Sequence, residues 1–139
     1  MLLKMSERQF KRWMTNKTRQ YIWLIFKLDP NRVKISFIHK PDASFLRHAH
    51  GWCNPEDQHI CYRTDYVTKG WDCDLRVLEN LVIHEVCHLK HEHNHPNAFW
   101  IDYAKWSGDD FIERYKNGLW DGIDYYGKYV SHISGLPIL

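Results

Sequence analysis

The chain has 139 residues, 44% of them hydrophobic and 26% charged. These are the proportions of an ordinary globular domain, so residues 1–139 read as a single domain with one core. A formal net charge of +2 argues against a surface dominated by one sign, and no apolar stretch approaches the ~18–20 residues that a membrane span needs.

Ser6-Glu7-Arg8-Gln9 has the form of a capping box and opens a helix predicted over about residues 7–27. Phe10, Trp13, Met14, Tyr21 and Ile25 supply its buried side. Lys4, Arg8, Lys11, Arg12, Lys17 and Arg19 make this region basic, which a solvated helix face accounts for. Asp29-Pro30-Asn31 breaks the helix. Val33, Ile35 and Phe37 then alternate with Lys34 and Ser36, the pattern of a strand. Residues 41–50 read as a loop. Residues 51–54 read as a short strand, turned by Asn54-Pro55-Glu56-Asp57 into another around Ile60 and Tyr62.

A second long helix is predicted over residues 74–91, with Asp72 or Asp74 suited to its first turn. A third follows over residues 96–106, with Phe99, Trp100 and Tyr103 on its packing side. A shorter one is expected over residues 107–117, and the stretch from Gly118 onward is left unassigned. The whole reads as α+β, with a small antiparallel sheet and flanking helices.

The second helix carries the chemistry. His84-Glu85-Val86-Cys87-His88 has the H-E-x-x-H form. Four positions apart on a helix, His84 and His88 project from one side and can reach one metal ion. Glu85 lies one position round, where it can hold a water beside the metal and take its proton; this is the constellation of a zinc peptidase. Leu75, Leu78, Val82, Val86 and Leu89 form an apolar stripe that buries one face, and the neighbouring stripe of Leu81, His84 and His88 is expected to face a cleft.

Catalytic zinc usually takes three protein ligands and leaves one position for water. His91, His93 and His95 all follow the motif. His91 falls about 300° round the helix from His88 and suits a solvated helix end. His93 lies in the breaking region, and His95 follows the turn at Asn94, ahead of Pro96. Glu113, on a later segment, is a further candidate.

Residues 82–100 resemble the SprT-like and related WLM/YgjP-like zinc peptidases, in which an H-E-x-x-H helix is followed by a short loop and H-x-x-x-F. Those elements here are His84, Glu85, His88, His95, Phe99 and Trp100. The resemblance implies a minimal zincin-like domain, zinc on His84, His88 and His95, Glu85 as catalytic base, and a polypeptide substrate. It also implies an edge strand beside the motif helix that receives an extended peptide by strand addition; His59 to Arg63 is the expected edge. The loop between His88 and His95 is one residue longer than in the short-loop relatives. Two other zincin classes fit less well. A metzincin needs Gly where His91 stands and a downstream Met, yet Met1, Met5 and Met14 all precede the motif. A gluzincin would use Glu113.

Alternative functions follow from the same residues: a DNA-associated protease, as SprT-like relatives are, or a zinc-binding recognition domain without proteolysis. Net charge lends DNA little support as a partner. Tyr103, Tyr115 and His132 are candidates to stabilise an oxyanion. His48 and His50 form a second pair without an obvious third ligand. Cys53, Cys61, Cys73 and Cys87 show no C-x-x-C spacing, so no ribbon-type zinc site is expected. Met1-Leu2-Leu3-Lys4 lacks an apolar run of signal-peptide length, so the expected compartment is the cytoplasm, with reduced thiols.

Overall fold

The computed structural model describes residues 2–3, 5–39, 51–64, 73–91 and 97–107. Ser6 caps helix α1 (Glu7–Tyr21) as its sequence indicates. Gln9 N donates to Ser6 Oγ at 3.1 Å, and Ser6 N donates to Gln9 Oε1 at 2.9 Å. Two otherwise orphaned amides are thereby satisfied. The α-helix does not run to residue 27. From Ile22 to Phe26 it widens into a π-turn, which ends on Lys27 in the left-handed region at φ 55°. Ile22 and Ile25 of this turn lie in the core. A short 3₁₀ turn (Pro30–Arg32) follows, with Asp29 accepting from Asn31 N at 3.0 Å.

Three strands form the main sheet: β2 (Lys34–Ile38), β3 (Gly51–Asn54) and β4 (His59–Arg63). Their order is β2-β4-β3. β3 and β4 make an antiparallel hairpin with Asn54 opposite His59, whereas β2 and β4 run parallel with Lys34 opposite His59. This corrects two expectations. The sheet is mixed rather than antiparallel, and His59–Arg63 is its central strand rather than an edge. Alternation shows which side of a strand is apolar but not which neighbour it takes or in which direction. Burial of four successive residues, Ile60 to Arg63, is what a strand covered on both faces requires. A small antiparallel pair joins β1 (Leu2–Leu3) to β5 (Cys73–Asp74).

The inner face of the sheet meets α1. Phe37 stacks edge-on against Phe10 with ring centroids 6.2 Å apart, and lies 6.0 Å from Tyr62. Thr18 donates to the Met14 carbonyl at 2.6 Å, so its single proton is committed; the Tyr62 hydroxyl, 2.8 Å away, therefore donates to Thr18. The motif helix α2 (Leu75–His91) packs against α1, the π-turn and β3, and α3 (Asn97–Ser107) packs against α2. Every residue from Leu81 to Leu89 is buried, as expected of a helix enclosed on all sides. Among the described residues no helix is long and apolar enough to cross a membrane. The element expected over residues 107–117, and the stretch beyond it, fall outside the described residues after Ser107, as does Asp72.

Candidate metal centre

His84 and His88 are brought together by one turn of α2. Their Nε2 atoms stand 3.2 Å apart, with ring centroids at 4.9 Å. Two imidazole nitrogens bound at ~2.0–2.1 Å to one tetrahedral ion would be separated by about 3.3 Å. The pair therefore already holds the spacing of a shared zinc ion. The same spacing suits a single N–H···N hydrogen bond, in which one ring donates and the other accepts.

Both imidazoles are buried. His84 is 0% exposed and His88 3%. Phe99, projecting from α3, lies 4.8 Å from the His84 ring and 4.7 Å from the His88 ring. Tyr103, one turn further along, stacks on Phe99 and meets His84 edge-on at 5.8 Å. An aromatic roof thus fixes both imidazoles against rotation. The H-x-x-x-F spacing carried the signal for Phe99; its contact with both histidines is seen only once α3 is docked.

Glu85 is turned towards the sheet. It is 0% exposed, and neither carboxylate oxygen has a hydrogen-bond partner among the described residues. Its stem lies against Gly51 of β3: a Cβ at Gly51 would fall 3.4 Å from Glu85 Cγ and 3.2 Å from the Tyr62 ring. Glycine at the start of β3 is what admits the glutamate. Burial pushes the Glu85 carboxyl well above its ordinary pKa. The thiols of Cys53 and Cys87 are also pushed up, chiefly by burial, with Glu85 contributing. Cys53, Cys61 and Cys87 are free.

His91 is engaged elsewhere. Its Nε2 lies 2.6 Å from Asp102 Oδ2 of α3, and Lys90 Nζ lies 2.9 Å from the same oxygen. Nothing in the sequence pattern singles out Asp102; the only signal is a basic pair, Lys90-His91, at the end of α2. His93, His95 and Glu113 lie outside the described residues, as do His48, His50, Tyr115 and His132. Among the described residues no group of three His, Cys, Asp or Glu side chains is placed to hold an ion. The chain matches no model of a known protein family, and no curated protein matches it.

Proposed function

We propose that this chain is a zinc-dependent endopeptidase of minimal zincin-like form, similar to the SprT-like and WLM/YgjP-like peptidases. The observation that supports it most is the 3.2 Å separation of two buried imidazole nitrogens beside a buried carboxyl. His84, His88 and His95 would hold the ion. When bound, zinc supplies a Lewis acid that lowers the pKa of water and polarises a carbonyl.

The remaining chemistry belongs to the chain. Glu85 accepts the proton of the attacking water and later delivers it to the leaving amine. Both roles favour a carboxyl of raised proton affinity, and complete burial supplies it. An unpaired carboxyl in a core is costly, and a purely structural zinc site has no use for one. Of the three oxyanion candidates Tyr103 alone falls among the described residues, with its ring centroid 5.8 Å from that of His84. β3, an edge strand among the described residues, packs against α2 and is the place for strand addition.

The test pairs metal content with hydrolysis. Elemental analysis should find about one zinc per chain, lost when His84 and His88 are both changed to Ala. His95→Ala should lower it and Glu113→Gln should not. Glu85→Gln should keep zinc but lose casein cleavage, a fall of about 10²–10⁴ or more. Zinc unchanged in the double variant would reject the reading. Zinc retained with no cleavage of any peptide or DNA-bound protein would favour a recognition domain instead.

A further inference from the structure

Trp13, Lys17 and Tyr21 follow one another at four-residue intervals on α1 and share a face, within about 80° of arc at 100° per residue. α2 brings Glu79 against them, and α3 brings Trp106. Tyr21 donates its hydroxyl proton to Glu79 Oε1, and its ring meets Trp106 edge-on with centroids 6.4 Å apart. Burial, with help from Glu79, pushes the Tyr21 hydroxyl up to about 12, so at neutral pH it remains a donor and leaves Glu79 as the acid. The three aromatic rings are half-buried and rest against the core, which fixes them as walls and leaves part of each open to solvent.

The chain's own lysines show what this cluster attracts. Lys17 Nζ lies 5.8 Å from the centre of the Trp13 ring and 3.7 Å from Glu79 Oε1. Lys105 Nζ lies 5.4 Å from the centre of the Trp106 ring. Both ring distances suit a cation over an aromatic face. Lys17 is nevertheless held loosely. A charge-assisted hydrogen bond closes to about 2.7–2.9 Å, and the Lys17–Glu79 contact stops well short of that. Both side chains are about a third exposed, where an ion pair contributes little.

We propose that Trp13, Tyr21, Glu79 and Trp106 form a binding site for a quaternary ammonium group, which displaces Lys17 from it. A primary ammonium is compact and strongly hydrated, and it needs close acceptors for its three protons. Here one oxygen of Glu79 already accepts from Tyr21. A quaternary ammonium has no N–H to satisfy. Its methyl groups lie against ring faces, and its charge is attracted by those faces and by a nearby carboxylate without a hydrogen bond. Walls of this kind, with a single acid between them, suit it better than they suit Lys17. A free choline-type molecule and a trimethylated lysine side chain share this chemistry. The inference stands on the junction of α1, α2 and α3 and does not depend on zinc or on hydrolysis.

The test is an NMR titration of the full, isotope-labelled chain with tetramethylammonium chloride, against sodium chloride at equal concentration. It reads the indole N–H signals of Trp13 and Trp106, identified by their loss in Trp13→Leu and Trp106→Phe. Tetramethylammonium should shift both signals saturably and sodium should not. Lys17→Met keeps the stem, removes the competing charge and should tighten binding by about two- to fivefold, the equivalent of one exposed ion pair. Glu79→Gln, which can still accept from Tyr21, should weaken binding by a similar factor, as should Trp13→Leu read at Trp106. Unaltered thermal melting of the variants shows that the fold is kept. Tighter binding of choline than of a trimethyl-lysine peptide supports the proposal with a free small molecule as ligand; the reverse supports it with a protein side chain. Absence of saturable shifts in both wild type and Lys17→Met would overturn it. So would equal binding of dimethylbutanol, the neutral isostere of choline, or weaker binding by Lys17→Met than by wild type. None of these outcomes bears on zinc content or casein cleavage.

Discussion

Asp102 accepts a hydrogen bond from His91 Nε2 at 2.6 Å, and this contact ties the middle of α3 to the last turn of α2. Because Phe99 and Tyr103 project from the same short helix, the contact also helps seat the roof over His84 and His88.

The bond has a pH signature. Burial alone would raise the Asp102 carboxyl, but the hydrogen bonds from His91 and Lys90 outweigh it and hold it below the usual range. A carboxyl with a depressed folded-state pKa contributes stability that is present above its unfolded value, about 3.9, and is lost as pH falls through the folded value. Asp102→Asn should therefore melt below wild type at pH 7, and the gap should narrow below about pH 4. Thermal melts at the two pH values check this; an equal gap at both would mean that charge does not contribute to the clamp.

Glu85 has the opposite sign. Its folded-state carboxyl is raised, so its contribution is fully present below the unfolded value of about 4.3 and is lost as pH rises. In the presence of a chelator, Glu85→Gln should melt higher than wild type at pH 8 and no higher at pH 4. Calorimetry of both proteins across that range is the measurement. The substitution expected to abolish cleavage should thus stabilise the apoprotein.

Phe99 is fully buried and touches both motif histidines. Phe99→Ala should cost about 3–5 kcal/mol, the usual loss for an aromatic core truncation. It should also weaken zinc binding in a chelator competition, because both imidazoles lose the ring that holds them. Urea unfolding and competition on one sample separate the two effects.

Gly51 is tight rather than strained. Gly51→Val places branched carbon against Glu85, Leu81 and the Tyr62 ring, where a single Cβ would already stand at 3.2–3.4 Å. Overpacking of this kind costs about 1–3 kcal/mol. The loss should be smaller in a Gly51→Val/Glu85→Ala double variant than the two single losses summed, which a double-mutant cycle reads directly.

How much of this was legible in the chain varies with the range of the interaction concerned. The Ser6–Gln9 box is local and was found as written. The spacing of His84 and His88 needs only helical geometry, and the two nitrogens converge as that geometry requires. The π-turn was not legible: Ile22-Trp23-Leu24-Ile25-Phe26 reads as more α-helix, and the residue that ends it in the left-handed region is a lysine rather than glycine or asparagine. The central place of β4 and the Asp102 clamp were hidden for a common reason. Each depends on which element docks beside which, and residue periodicity records only that a face is buried.

The β2-β4-β3 order also sets a sequence of assembly. β3 and β4 are joined by the four residues Pro55 to Gln58 and can zip on their own, helped by Asp57 N donating to Asn54 Oδ1 at 3.2 Å. β2 reaches the same β4 only across residues 39–58, a larger loop to close. The hairpin is then the early event, and capture of β2, with the α1 it leads from, is the late one. Gln58, at φ 49°, sits in the hairpin turn. Gln58→Gly should speed refolding and leave unfolding nearly unchanged, whereas Phe37→Leu in β2 should chiefly speed unfolding. Stopped-flow chevrons of the two variants would distinguish a chain that builds outward from its hairpin from one that starts at its first helix.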